Sequence, residues 1–274
     1  MNLTRLDLDG AASPTAIAAR IHQLEPDLPL ALPIKQLCQQ LGIGSITEVE
    51  TSAFEAVLVM DELKANGNIL LAANRMPERQ RYSLGHELGH FLIPSHRPTA
   101  GHPFQCSLDD FHLLGEGGSN RRQRLEAEAN RFAAYLLMPP ARVRQRIGQT
   151  PSSLEGIVDM AREFGVSREA MARAWVGANR NPVAVVVLRH GCIQRCYRGD
   201  DFPWIAVRRS EHVSDESLAA DNLHSGTYSE IEEVDPAAWL SDRDAKRTLA
   251  LTEQVLAQRD GHALVLLQIE LDDD

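Results

Sequence analysis

The sequence predicts an α+β protein of about two domains, at roughly 150 residues per domain. Three observations carry that expectation. The chain has 274 residues, ample for a sizeable core. Apolar residues recur with helical spacing through most of the first two thirds, broken by two short strand-like runs near residue 60. After Asn181-Pro182 the pattern turns to strands, and the charge changes with it. Residues 181–274 hold 18 acidic and 9 basic side chains, against 38 and 28 in the whole chain. The net charge of −10 therefore sits almost wholly in the last third, which reads as a separate acidic module. The remainder is close to neutral, and a chain of this balance is a poor candidate for a general nucleic-acid coat, because phosphate binding needs a basic surface.

The elements follow in order. Residues 12–24 and 33–41 read as short amphipathic helices, with Ile17, Ile21 and Leu24, then Ile34, Leu37 and Leu41, on one face each. Residues 54–60 and 68–72 read as strands, and the Lys64–Asn68 stretch with Asn66-Gly67 reads as the turn between them. A helix is expected from Pro77 to Phe91, an irregular loop over 94–120, and a long helix from Arg121 to Met138 stopped by Pro139-Pro140. Pro140 opens a further short helix that ends before Gly148. Residues 152–164 and 167–176 are two more helices joined at Gly165, the first with a capping box of Ser152 and Glu155. Strands are expected at 183–189, 192–197 and 204–208, a polar strand or loop at 225–234, a helix at 241–258 and a last strand at 262–271. The implied domains are 1–148, a helical segment at 149–180 and an acidic α/β domain at 181–274.

The N-terminus has no charged-then-apolar signal pattern, and no apolar run approaches the about 18 residues of a membrane span. Four cysteines are too few for a disulfide scaffold, and Cys192 and Cys196 lack Cys-x-x-Cys spacing. A cytoplasmic protein with free thiols and no membrane partner is the expectation.

The segment His86-Glu87-Leu88-Gly89-His90 carries the most chemistry. Residues i and i+4 share one face of a helix, so the two imidazoles can bind one cation. Glu87 then stands beside the metal as a general base, the pattern of zinc peptidases. A catalytic zinc commonly takes three protein ligands and keeps one position open. Three side chains are candidates for the third. Glu126 opens Glu126-Ala-Glu-Ala-Asn130, and Asn130 shares its helix face, so one can ligate while the other supports a histidine ring. Glu128 points about 200° away from Glu126 and reads as a solvated glutamate. His96 lies six residues past His90, the metzincin spacing, but Ile93-Pro94 stands where that turn needs glycine. Helix geometry favours Glu126. His102 and His112 in the loop could donate to an oxyanion but read first as solvated loop histidines, Tyr135 faces elsewhere, and an extended peptide is expected to add to the strand at 68–72.

These residues resemble the ImmA/IrrE family of metallopeptidases. The likeness is carried by Asn74, Pro77, Arg79 to Gly85, His86 to His90, Leu125 to Pro139, and Ala161 to Met171, and spans roughly residues 45–175. It implies a zincin-like domain, zinc held by His86, His90 and Glu126, and Glu87 as catalytic base. It also implies a regulatory protein as substrate, a DNA-binding helix-turn-helix repressor above all, cut in a stress response or a mobile-element switch. A histidine that family members often carry four residues past the second zinc histidine is Pro94 here. Some family members carry a sensor-like domain of the GAF type where residues 182–274 stand.

Residues 157–176 read as a helix-turn-helix-like pair. Over 148–180 four basic residues balance four acidic ones, which predicts weak DNA contact at most and favours packing or a protein partner. The arginines at 121, 122, 124, 142, 144 and 146 read as a solvated face that could meet phosphate or an acidic partner. The competing expectation is a zinc-containing DNA- or protein-binding regulator without peptidase activity, with Cys106 or His102 closing the fourth metal position.

Overall fold

The computed structural model describes residues 1–61, 63–97, 104–106, 121–220 and 224–271. They form a mixed α+β structure with two sheets, in two compact units. One unit comprises Met1–Pro139 and Glu163–Ser167; the other comprises Pro140–Arg162 and Arg168–Asp274.

In the first unit, α1 (Pro14–Leu24) starts at Ser13, whose hydroxyl accepts from Ala16 N, with Pro14 at the first helical position. It buries Ile17 and Ile21, and packs on α4 (Arg121–Leu137). The helix α2 (Ile34–Gln40) buries Ile34, Leu37 and Cys38. Next come β1 (Ile43–Val49), β2 (Ala56–Met60) and β3 (Gly67–Ala72). The helix α3 (Pro77–Leu92) follows, then β4 (Phe104–Cys106), a strand inside the stretch expected to be an irregular loop.

The sheet order is β1-β3-β2-β4. The turn from β2 to β3 differs from the expected one: Lys64 takes a left-handed φ of +53°, and the Asp61 carboxylate accepts from Ala65 N and Asn66 N. A second correction concerns the peptide edge. The strand at 68–72 is paired on both sides, in parallel with β1 and antiparallel with β2, so it has no edge to offer. The unforeseen β1 fills the side that looked open. The edges of this sheet among the described residues are β1 and β4.

In the second unit, α5 (Pro140–Ile147), α6 (Leu154–Phe164) and α7 (Arg168–Ala178) precede a sheet ordered β6-β5-β9-β8-β7. Its strands are β5 (Val183–Arg189), β6 (Cys192–Arg198), β7 (Glu232–Glu233), β8 (Thr248–Ala257) and β9 (His262–Leu271). Six of the seven β5 residues are buried, as a strand covered on both faces requires. One cluster gathers Phe202, Trp239, Leu251, Val255, Val265 and Leu267, among others, while α7 packs on β5 and β6. The joint between α6 and α7 is Gly165, at a φ of +64° that a side chain would strain.

Three local expectations fail here. Ser153, not Ser152, caps α6: its Oγ accepts from Gly156 N, while Ser152 Oγ donates to Gln268 Oε1. The stretch 204–208 contributes only an isolated bridge of Ile205 with Leu240. The helix expected at 241–258 is one turn, α8 (Asp242–Ala245), capped by Ser241, after which the chain enters β8. β8 pairs with β9 along its length and with β7 on its other side, and that pairing outweighs local helix propensity.

No helix among the described residues is long and apolar enough to cross a membrane. Cys38, Cys192 and Cys196 are free thiols.

Candidate metal centre

The site is built where α3 and α4 meet. Pro77 sets the first turn of α3, and Pro94, two residues beyond its end, keeps the helix from continuing. His86, Glu87 and His90 are fully buried, as is Asn130, and Glu126 nearly so. Helices come this close only if their facing residues are small. A Cβ on Gly85 would stand 3.4 Å from Ala133 Cβ, and one on Gly89 only 2.9 Å from Phe132 Cδ1. Gly89 therefore sets the approach of α4, while Gly85 meets Ala133 at an ordinary contact distance; each stands one residue ahead of a histidine.

The structure brings together His86, His90 and Glu126, whose ligand atoms lie within 4.8 Å of one another. His86 Nε2 is 3.1 Å from Glu126 Oε2, His90 Nε2 is 3.3 Å from the same oxygen, and the two Nε2 atoms are 3.1 Å apart. Three ligands about 2.0–2.1 Å from a tetrahedral ion would stand roughly 3.3 Å from each other. The donor set and its spacing therefore fit a metal ion of the zinc class.

The surrounding groups settle the protons. His86 Nδ1 donates to Asn130 Oδ1 at 2.9 Å, and Tyr82 Oη donates to the same oxygen at 3.1 Å. That leaves the lone pair of His86 on Nε2, toward the cluster. Asn130 is thus the supporting partner and Glu126 the member of the cluster. Burial resists charge on His86, but Glu126, Glu87 and Asn130 outweigh it and raise its pKa. Burial pushes His90 down to about 3. Glu126 is held well below the usual carboxylate range, because the two imidazoles beside it outweigh its burial. A buried carboxylate kept ionised between two imidazoles is what a cation needs.

The other two candidates for the third ligand are not in the cluster. His96 points its Nδ1 at His90 Nδ1, 2.9 Å away, and its Nε2 at Glu128 Oε2, also 2.9 Å away. Glu128, expected to be solvated, is therefore a hydrogen-bonded partner of His96. Tyr135 is 40% exposed on α4. Cys106 is the last residue of β4; His102 and His112 lie outside the described residues. Sequence reasoning also missed Lys64, whose buried Nζ donates to His90 O at 2.8 Å and Ile93 O at 2.7 Å. No spacing rule links Lys64 to the helix end; only the β2–β3 turn brings it there.

Comparison with known proteins follows the same lines. No curated protein matches the chain. Among solved structures, a transcriptional regulator of Mycobacterium tuberculosis is similar in fold, with a TM-score of 0.57 at 14% identity, over 93% of this chain and 75% of that one. Residues 45–175 match the family model described as the IrrE N-terminal-like domain. That stretch contains α3, α4 and all three members of the cluster, so this part of the chain is an IrrE N-terminal-like domain, similar to that of the ImmA/IrrE family.

Proposed function

We propose that this protein is a zinc endopeptidase that cuts a regulatory protein, a helix-turn-helix repressor being the substrate expected. One observation carries the reading: His86, His90 and Glu126 converge at tetrahedral spacing, with the buried Glu87 on the helix of the two histidines. Nε2 of each histidine and a carboxylate oxygen of Glu126 would hold the ion. Zinc bound there would polarise the scissile carbonyl and bring the pKa of a water toward about 7. Glu87 takes a proton on its carboxylate and delivers it to the departing amine. Asn130 keeps His86 in the tautomer that frees Nε2. Burial of all these groups keeps bulk water from competing with the reacting atoms.

The helices α6 and α7 are read as a helix-turn-helix-like pair that grips a protein, since their balanced charge gives little hold on phosphate. The acidic last third is read as a regulatory domain of the GAF type, and the protein as cytoplasmic. The name of the Mycobacterium tuberculosis neighbour agrees with a regulatory role. The test is to incubate the chain with any helix-turn-helix repressor found to be encoded beside it. A Glu87→Gln variant should keep its zinc and lose cleavage. Cleavage undiminished in that variant would sink the mechanism. No cleavage by the parent, with zinc in place, would favour the competing reading of a zinc-containing regulator without peptidase activity.

A further inference from the structure

His96 is fully buried, and the chain takes a short path to put it there. α3 ends at Leu92, His96 N donates to Ile93 O, and Lys64 Nζ ties Ile93 O and His90 O together. The His96 ring is thereby folded back on His90, with ring centroids 4.9 Å apart and planes tilted by 47°. Both of its nitrogens are engaged, one with His90 Nδ1 and one with Glu128 Oε2.

We infer that His96 and Glu128 form a relay that orients His90 and strengthens its hold on a metal ion, a proposal that rests on the zinc reading above. The two ends of the relay decide its protons independently. An ionised carboxylate only accepts, so His96 Nε2 carries a hydrogen toward Glu128. At the other end, His90 Nε2 faces Glu126 Oε2 and His86 Nε2 and must present a lone pair to a cation, so its hydrogen is on Nδ1. His96 Nδ1 is then the acceptor for His90 Nδ1–H, and the two assignments meet at one ring without conflict.

The two metal-facing histidines are therefore supported by different chemistry. His86 leans on the neutral amide of Asn130. His90 leans on a carboxylate, reached through an intervening imidazole. Such outer partners raise the basicity of a ligating ring and restrict its rotation. The Glu128 side chain is 40% exposed, so the far end of the relay meets solvent while the near end stays dry. His96 and Glu128 are positioning residues: neither is part of the cluster.

The test is zinc affinity of the full-length chain, measured by competition with a chromogenic chelator, with the absorption spectrum of the cobalt-substituted protein as second readout. His96→Leu should weaken zinc about 10–100-fold and alter the cobalt bands. Glu128→Gln should weaken it less, in the same direction. The double variant should fall no further than His96→Leu alone, because Glu128 acts through His96. His96→Gln should recover part of the loss, since its amide can accept from His90 Nδ1 and donate to Glu128. If His96→Leu fails to fold, Glu128→Gln alone and in the His96→Gln background read the same coupling. Affinities within about twofold of a zinc-binding parent, or losses that simply add, would overturn the relay. A parent that binds no zinc would overturn the zinc reading itself, and the relay with it.

Discussion

Gly89 of α3 lies against Phe132 of α4 so closely that a Cβ added to it would stand 2.9 Å from Phe132 Cδ1 and 3.3 Å from Ala129 Cα. Glycine inside a helix costs about 1 kcal/mol relative to alanine, so Gly89→Ala gains that much locally. Overpacking between the helices should cost about 1–3 kcal/mol and move Glu126 away from the histidines. The expected net result is a lower melting temperature and weaker zinc binding. Gly85→Ala meets Ala133 at an ordinary 3.4 Å and should be tolerated. Thermal unfolding and zinc content of the two variants, side by side, check this contrast.

Asn130 holds His86 through one oxygen that Tyr82 also reaches. Asn130→Ala should weaken zinc about 10–100-fold by freeing the His86 ring to rotate and change tautomer. Tyr82→Phe leaves the amide in place and should lose much less. Zinc competition titrations on both variants separate the two contributions; equal losses would mean that Asn130 holds the ring only while Tyr82 anchors its amide.

Lys64 is a buried ammonium whose partners are two carbonyls at the end of α3. Lys64→Met keeps the aliphatic stem and removes the donor. His90 O, deprived of that donor, should cost about 1–3 kcal/mol, while Ile93 O keeps His96 N. Since those carbonyls shape the turn to His96, zinc affinity should fall together with stability. Denaturant unfolding monitored by far-ultraviolet circular dichroism measures the first, and chelator competition the second.

Glu253 is buried in the second unit, where it accepts from Ser217 Oγ, Ala219 N and Trp239 Nε1. Burial raises its pKa above the ordinary 4.5 in spite of those donors. The folded state therefore holds a proton on Glu253 more tightly than the unfolded chain does. Its contribution to stability is full below the ordinary glutamate pKa and is lost as pH rises through the folded value. Glu253→Gln has no proton to lose, so its stability relative to the parent should improve as pH rises above the ordinary 4.5. All three tryptophans, at 175, 204 and 239, lie in the second unit, so tryptophan fluorescence during urea unfolding reads that unit. A difference between variant and parent that does not change with pH would refute the sign.

Much of the site was legible in the sequence because helical spacing is a rigid ruler. His86 and His90 share a face by period alone, and so do Glu126 and Asn130; the supporting role of Asn130 needed only the rule that a ligating histidine has a second partner. What spacing cannot reach is contact made across turns. Lys64 and His96 arrive at the same helix end from opposite sides, and neither lies at a helical offset from the residue it meets. Gly85 and Gly89 were visible as a four-residue repeat, but their purpose appears only against Ala133 and Phe132. In the last third, β8 reads as a helix because Leu251 and Val255 stand four residues apart and the buried positions between them, Glu253 and Gln254, are polar, so no apolar alternation marks the strand. The β3 edge was misread because β1 pairs in parallel, through a crossover that no hairpin signal announces.

The most direct measurement is the zinc content of the purified full-length chain and of a Glu126→Ala variant, by elemental analysis after dialysis against a weak chelator. The cluster of His86, His90 and Glu126 predicts one zinc per parent chain and its loss from the variant, with the fold retained by circular dichroism. A parent without zinc, or a variant that keeps zinc as firmly as the parent, would contradict it.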